Sequence, residues 1–237
     1  MSGKKDILIS VIIPTHNRAD ALQLTIEHLA RQAFSESWEA IVVNNNCTDN
    51  TDETVRFWQE KFPAALRLVH EKKPGAAAAR NRGAREAQGK YLIFIDNDIL
   101  VPPNFLLLHK KGLETHAKSW LVGQALNLPE QEKTTFGKYR KSLFPAIALD
   151  APVTETDGIT GQNVSMPREQ FEALGGFDEN FHVASGEDRE LALRAIESGI
   201  KIFSDPANTV FHNDWAGTSI GDFCRRQRIY TQTEPFF

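Results

Sequence analysis

The sequence predicts an α/β protein built on a mostly parallel sheet flanked by helices. Largely apolar runs recur at 7–13, 40–43, 66–69 and 91–95, and segments with helical spacing separate them. Strand signals alternating with helix signals in this way are the pattern of a parallel sheet. Polar residues collect just after three of the runs, at 14–17, 44–49 and 96–98. Open α/β sheets bind ligands in the crevice beyond the carboxyl ends of their strands.

The first run, Ile7 to Ile13, suits a strand covered on both faces and ends at Pro14-Thr15-His16-Asn17. Leu22, Ile26, Leu29 and Ala33 then recur at helical spacing. Ala40-Ile41-Val42-Val43 reads as the second strand, and Val55, Trp58 and Phe62 as the buried face of the next helix. Leu66 to Val69 is a third strand. Lys73-Pro74-Gly75 opens onto the alanine-rich stretch 76–87, a strong helix former. Tyr91 to Ile95 is the fourth strand. Later segments are less regular. They read as helix over 104–116, strand over 120–125, an insertion over 127–158 with a helix near 134–143, strand over 163–166 and helix over 168–174. Helix 186–198, short strands near 200–203 and 208–212, and a last helix near 218–230 complete the chain.

The 237 residues are 41% hydrophobic, enough for one substantial core. With 27 basic and 31 acidic residues, no global field invites nucleic acid. Cys47 and Cys224 make neither a disulfide framework nor a metal cluster. The N-terminus resembles a first strand rather than a signal peptide, and no run approaches the ~20 apolar residues of a membrane span. These features predict a cytoplasmic protein, with peripheral association at the inner face of the membrane left open.

Asp96 and Asp98 flank Asn97 directly after the fourth run. Two neighbouring carboxylates are costly to bury without a cation or a full set of donors. Mg²⁺ and Mn²⁺ both take such oxygen ligands. A cation there would offset charge growing on a diphosphate leaving group. The plainer alternative is an Asp-Asn-Asp turn capping the next helix.

With these segments in view, the chain resembles the inverting glycosyltransferase family 2, with the GT-A fold. The resemblance rests on Val11 to Arg18, Ile41 to Asp49, Pro74-Gly75 through Ala79-Arg80-Asn81-Arg82-Gly83, and Phe94 to Asp98. It continues with Gly161-Gln162-Asn163, Gly175-Gly176-Phe177-Asp178-Glu179 and Gly186-Glu187-Asp188, in family order. It implies a Rossmann-like, mostly parallel central sheet with a smaller acceptor-side region. A single domain would span 1–237, with a nucleotide-binding half at 1–100 and an acceptor-binding, catalytic-base half at 101–237. The implied donor is a nucleotide-diphosphate sugar, a UDP-sugar first, and the implied cofactor is Mn²⁺ or Mg²⁺. The acceptor would be a carbohydrate or lipid-linked hydroxyl, in polysaccharide or glycoconjugate synthesis.

By the same resemblance, Pro14, Thr15 and Asn17 lie beside the nucleoside and Arg18 near the nucleotide edge. Asn44 stands where the family commonly has an acidic residue that reads a uracil-like base. Asn46 and Cys47 replace the usual glycine and serine. A turn selected for Asx bonding explains the triple asparagine equally well. Arg80 is expected against the donor, pairing with phosphate or organising carboxylates. Asp96, Asn97 and Asn163 join the donor side, and Gly83 permits close packing. Asp98, Asp96 and His212 are the expected metal ligands. The preferred base is Asp188, with Glu187 supporting it. These two acids also suit the first turn of a helix capped by Ser185. Phe181 to Ser185 suggests an acceptor loop, Trp215 a sugar platform or a core cap, and Asp214 a turn. Arg225, Arg226 and Arg228 read as a solvent-facing run or a lid. The short tail beyond them is read against transmembrane processive synthases. Two other function classes fit less well: a nucleotide-sugar-binding protein without transfer, and a sugar nucleotidyltransferase, whose Gly-rich phosphate loop the first strand lacks.

Overall fold

A computed structural model describes residues 6–143, 145–181, 186–214 and 219–230. Its parallel unit is β1 (Ile9–Thr15), β2 (Trp38–Asn44), β3 (Ala65–His70) and β4 (Tyr91–Phe94), joined by α1 (Ala19–Leu29), α2 (Thr51–Gln59) and α3 (Ala76–Glu86). The first helix is shorter than the spacing predicts. It ends at Leu29, and Ala33 is exposed beyond it, its N–H tied to the Pro103 carbonyl at 2.8 Å.

Alternate side chains of β1 leave for opposite faces, and both faces are apolar. Ile9, Val11 and Ile13 pack with Leu22, Ile26 and Val55, whereas Ile12 packs with Ile41, Val43 and the α3 alanines. Each fully buried side chain of this kind contributes about 1.5–3 kcal/mol. The alanines let α3 lie close to the sheet. At Gly83 a Cβ would come within 2.4 Å of the Ile12 side chain, so close packing is its role.

The second half departs from the parallel pattern. It comprises β5 (Ile99–Leu100), α4 (Phe105–Thr115), β6 (Trp120–Val122), β7 (Ala125–Asn127), α5 (Thr135–Leu143) and β8 (Thr154–Thr156). β9 (Val164–Pro167), α6 (Arg168–Ala173), α7 (Glu187–Glu197), β10 (Ile202–Ser204), β11 (Val210–His212) and α8 (Ile220–Tyr230) follow. The main sheet runs β3-β2-β1-β4-β9-β6-β10-β8, and a small sheet runs β5-β11-β7. β9 is antiparallel to both β4 and β6. The strand expected over 120–125 is two strands in different sheets. The chain breaks at Gly123, where a Cβ would lie 2.0 Å from the Asn208 carbonyl oxygen.

Candidate active site

Parallel pairing aligns the carboxyl ends of β1 and β2, with Thr15 opposite Asn44. The chain turns sharply out of β1 through Asn17 and Arg18, both with positive φ (61° and 65°). Neighbouring turns lace together here. The Asn17 Oδ1 accepts the Thr48 N–H at 2.8 Å, and the Cys47 Sγ accepts the Asn17 N–H at 3.1 Å. The Asn44 Oδ1 accepts the Cys47 N–H at 2.7 Å while its side-chain amide donates to Asp52 at 2.6 Å. The Asn46 amide donates to the Lys72 carbonyl at 3.0 Å. Both asparagines therefore spend these groups inside the protein. Thr15 is buried and Pro14 half-buried. Asn97 donates to the Asn17 carbonyl at 3.2 Å and so braces the same turn.

Asp98 sits at the junction of the two sheets. β11 runs antiparallel to β5 with His212 opposite Ile99, and the Asn213 N–H donates to the Asp98 carbonyl at 2.7 Å. This pairing carries the His212 ring to Asp98, Nε2 to Oδ2 at 3.2 Å. The Arg18 Nη1 reaches the same Oδ2 at 2.7 Å. The other oxygen, Oδ1, is buried without a hydrogen-bond partner. Burial pushes the Asp98 carboxyl up, but the bond to His212 and the charges of His212 and Arg18 outweigh it and hold the group below the usual range. His212 moves the other way. Burial pushes it down, yet the bond from Asp98 and the charges of Asp98, Asp214 and Asp96 raise it.

Asp214 is no surface turn. Its side chain is 1% exposed and accepts Arg226 of α8 at 2.6 and 3.0 Å, with Arg18 at 3.9 Å. Residues 212 and 214 are two apart at a strand end, and that spacing was the signal in the sequence. Arg226 thus turns inward, while Arg225 stays exposed beside Asp222 at 2.9 Å.

The second cluster forms around Arg80, on the buried face of α3. Its guanidinium donates to Glu187 at 2.8 Å and Asp96 at 2.9 Å, and lies 3.8 Å from Asp188. Phe177 supports it from 5.4 Å. Gly161 is required beside it, since a Cβ would fall 2.5 Å from the guanidinium carbon. Arg80 thus gathers three carboxylates around one guanidinium. Glu187 and Asp188 open α7 after Gly186, and Ser185, expected as the cap, lies outside the described residues with 182–184 and Trp215. The Asp188 Oδ2 accepts the Gly161 N–H at 2.8 Å, and Oδ1 is buried without a hydrogen-bond partner. Burial raises the Asp188 carboxyl above its ordinary value, against the charge of Arg80 and the Gly161 bond. Burial and the Asp188 charge raise Glu187 likewise.

Two expectations need correction. Asn163 does not line the cleft: it is fully buried, its Oδ1 bonded to His109 at 2.9 Å and its amide to the Asn208 carbonyl at 2.7 Å. Asp96 does not close on Asp98 and His212 but turns to Arg80, and among the described residues no three His, Cys, Asp or Glu side chains converge as a metal cage. Asp98 and His212 still fit a divalent cation. A buried carboxylate oxygen with no protein partner and an adjacent imidazole are donors that Mn²⁺ accepts. A cavity of ≈ 590 Å³ opens beside them, lined by His212, Gln162, Asn127, Arg140, Phe223 and Arg226 among others.

The sequence model described as glycosyl transferase family 2 matches residues 10–175. The chain belongs to glycosyl transferase family 2. A second model, described as the N-terminal domain of galactosyltransferase, matches residues 146–213. Validoxylamine A glucosyltransferase of Streptomyces hygroscopicus subsp. jinggangensis (strain 5008) is 30% identical over 240 residues, covering 88% of this chain. The chain spans 54% of that relative's length. Among solved structures, the mannosyltransferase PcManGT from Pyrobaculum calidifontis, in complex with GDP-Man and Mn²⁺, aligns with a TM-score of 0.66 and 25% identity. That alignment covers 90% of this chain and 61% of the other. S. aureus TarS 1-349 in complex with UDP aligns with a TM-score of 0.70 and 17% identity, over 94% and 64% of the two chains. The family 2 member described here therefore has the GT-A fold.

Proposed function

We propose that this family 2 chain transfers a sugar from a nucleotide-diphosphate-sugar donor to an acceptor hydroxyl, inverting the anomeric centre, with Asp188 as base. The observation that carries this reading is the Asp188 Oδ1. It is a carboxylate oxygen with no hydrogen-bond partner, on a group raised by burial, joined through Arg80 to Asp96 at the end of the donor-side strand. A base with an elevated pKa removes a hydroxyl proton more effectively than an ordinary aspartate. As the acceptor oxygen bonds to the anomeric carbon, its proton passes to Asp188 and the bond to the diphosphate oxygen breaks.

Residues 6–100 form the donor-binding side, with the turns after β1 and β2 around the nucleoside. Arg18, about a third exposed, brings a cation toward the place where diphosphate charge develops. A divalent cation held by Asp98 and His212 would supply further charge stabilisation for the departing diphosphate. The GDP-Man, UDP and Mn²⁺ in the neighbouring structures support this donor class and this cofactor. Glu187, locked onto Arg80, supports Asp188 rather than touching the acceptor.

The test is a turnover screen of UDP- and GDP-sugars with Mn²⁺ or Mg²⁺, following both transfer and donor hydrolysis. Asp188→Asn should lower turnover about 10²–10⁴-fold and leave donor affinity nearly unchanged. Absence of any turnover across donors, or full activity in Asp188→Asn, would overturn the reading. Donor binding with no turnover would point instead to a binding protein.

A further inference from the structure

The stretch from Lys133 to Leu149 carries Lys133, Lys138, Arg140 and Lys141 and no carboxylate, within a chain of formal net charge −4. It is also where apolar surface concentrates. Tyr139, Leu143, Ile147, Leu149 and Val153 are 39–62% exposed and make up five of the eleven large hydrophobic side chains exposed among the described residues. Nearly all the described residues of 141–150 are exposed. The loop after α5 is tethered through the Gln124 side chain, which grips the Ile147 N–H at 3.0 Å and its carbonyl at 2.9 Å. Lys141 reaches Glu132 at 2.5 Å, while Lys133 and Lys138 are exposed.

We infer that the described residues of 133–153 form a docking surface for an anionic lipid bilayer. Apolar and aromatic side chains interleaved with lysine and arginine are the composition that lies in a headgroup layer. Each cation near an anionic leaflet adds attraction, and the four cations of 133–153 outnumber its one acid, Asp150. A protein partner fits less well, because lysine is depleted from protein interfaces. No helix among the described residues is long and apolar enough to cross a membrane. Arg140, Lys141 and Ala146 of the same stretch also line the cavity that contains Gln162 and His212. Docking would bring lipid to the mouth of that cavity. If the transfer reading holds, and this consequence rests on it, the acceptor hydroxyl is carried on a membrane lipid.

The experiment is co-sedimentation of the 237-residue chain with vesicles of phosphatidylcholine alone or mixed with phosphatidylglycerol. The expected result is binding to the anionic vesicles only, released by salt. Lys138→Glu should weaken it at least about fivefold. Leu143→Ser with Leu149→Ser should abolish it, and neither variant should change nucleotide-sugar affinity or thermal stability. Equal binding to both vesicles, no binding, or variants that bind like the parent would overturn the inference. So would a dimer in sedimentation velocity that the double serine variant dissolves, which would assign the surface to a second copy of the chain. Vesicle binding and donor turnover are separate readouts, so loss of one leaves the other interpretable.

Discussion

Asp98 and Asp188 begin alike. Each has one carboxylate oxygen bonded within the protein and a second, buried oxygen without a hydrogen-bond partner. Their surroundings then drive their protons in opposite directions. Asp98 touches Arg18 at 2.7 Å and His212 at 3.2 Å, and these cations override burial and keep it ionised. Asp188 lies 3.8 Å from a guanidinium already bonded to Glu187 and Asp96, so burial wins and its carboxyl rises. The same residue type is thus held as an anion in one cluster and pushed toward its protonated form in the other, as the base proposed above requires. The bond and charge of His212, followed by the charge of Arg18, make the difference at Asp98, whereas Asp188 has a more distant guanidinium shared with two other acids.

Removing Arg80 should break that division most severely. Arg80→Ala leaves the nearly inaccessible Glu187 without its ion pair and removes the partner of Asp96. Loss of one partner from a buried ion pair costs about 3–5 kcal/mol, readable in urea unfolding. The base limb of the pH–rate profile should also move up as Asp188 loses the charge of Arg80. A profile that stays in place would show that Arg80 does not set the proton affinity of Asp188.

Asp98→Ala attacks the other end. Donor affinity measured with Mn²⁺ should fall about a hundredfold or more, and the dependence on Mn²⁺ should flatten. Asp188→Asn should keep that dependence. If both variants respond alike, the two ends are not separate devices.

Gly161→Ala tests the link between the ends with a smaller perturbation. The added methyl meets the Arg80 guanidinium, which three carboxylates hold in place. Such overpacking costs about 1–3 kcal/mol, and transfer should suffer more than donor binding because the Gly161 N–H also fixes the Asp188 Oδ2. Equal loss of both would place the strain elsewhere.

These contacts show where sequence reading stops. The periodicity of Ile9 to Ile13 and the alanines of α3 report local burial, so the first four strands and their helices could be placed within a few residues, whereas the short β5 and β8 could not. Residues at strand ends could likewise be nominated, because topology makes those ends converge. Pairings across the chain leave no local mark. Arg80 with Glu187 depends on how the halves meet, and Asp214 with Arg226 and Asn163 with His109 depend on how elements within the second half pack. Ala33 fails for a different cause: helical spacing continues past the point where the chain leaves its helix for Pro103.

The smallest effect at neutral pH belongs to His109, behind β9 and away from both ends of the cleft. Its ring is enclosed between the Ser165 hydroxyl at 2.8 Å and the Asn163 Oδ1 at 2.9 Å, and burial lowers its pKa to about 4. The folded chain therefore binds this proton less readily than the unfolded chain. Its contribution to stability is complete above the unfolded value of 6.5 and is lost progressively as pH falls toward about 4. Between pH 7 and 6 the loss is under about 1 kcal/mol, and it steepens below that. Asp188 and Glu187 work in the opposite sense, since carboxyls raised on folding add stability as they protonate. The difference between parent and His109→Gln unfolding curves, taken from pH 7 to 4, isolates the histidine. A parallel pair of curves would mean that the buried ring gains its proton without cost, which its burial away from water does not allow.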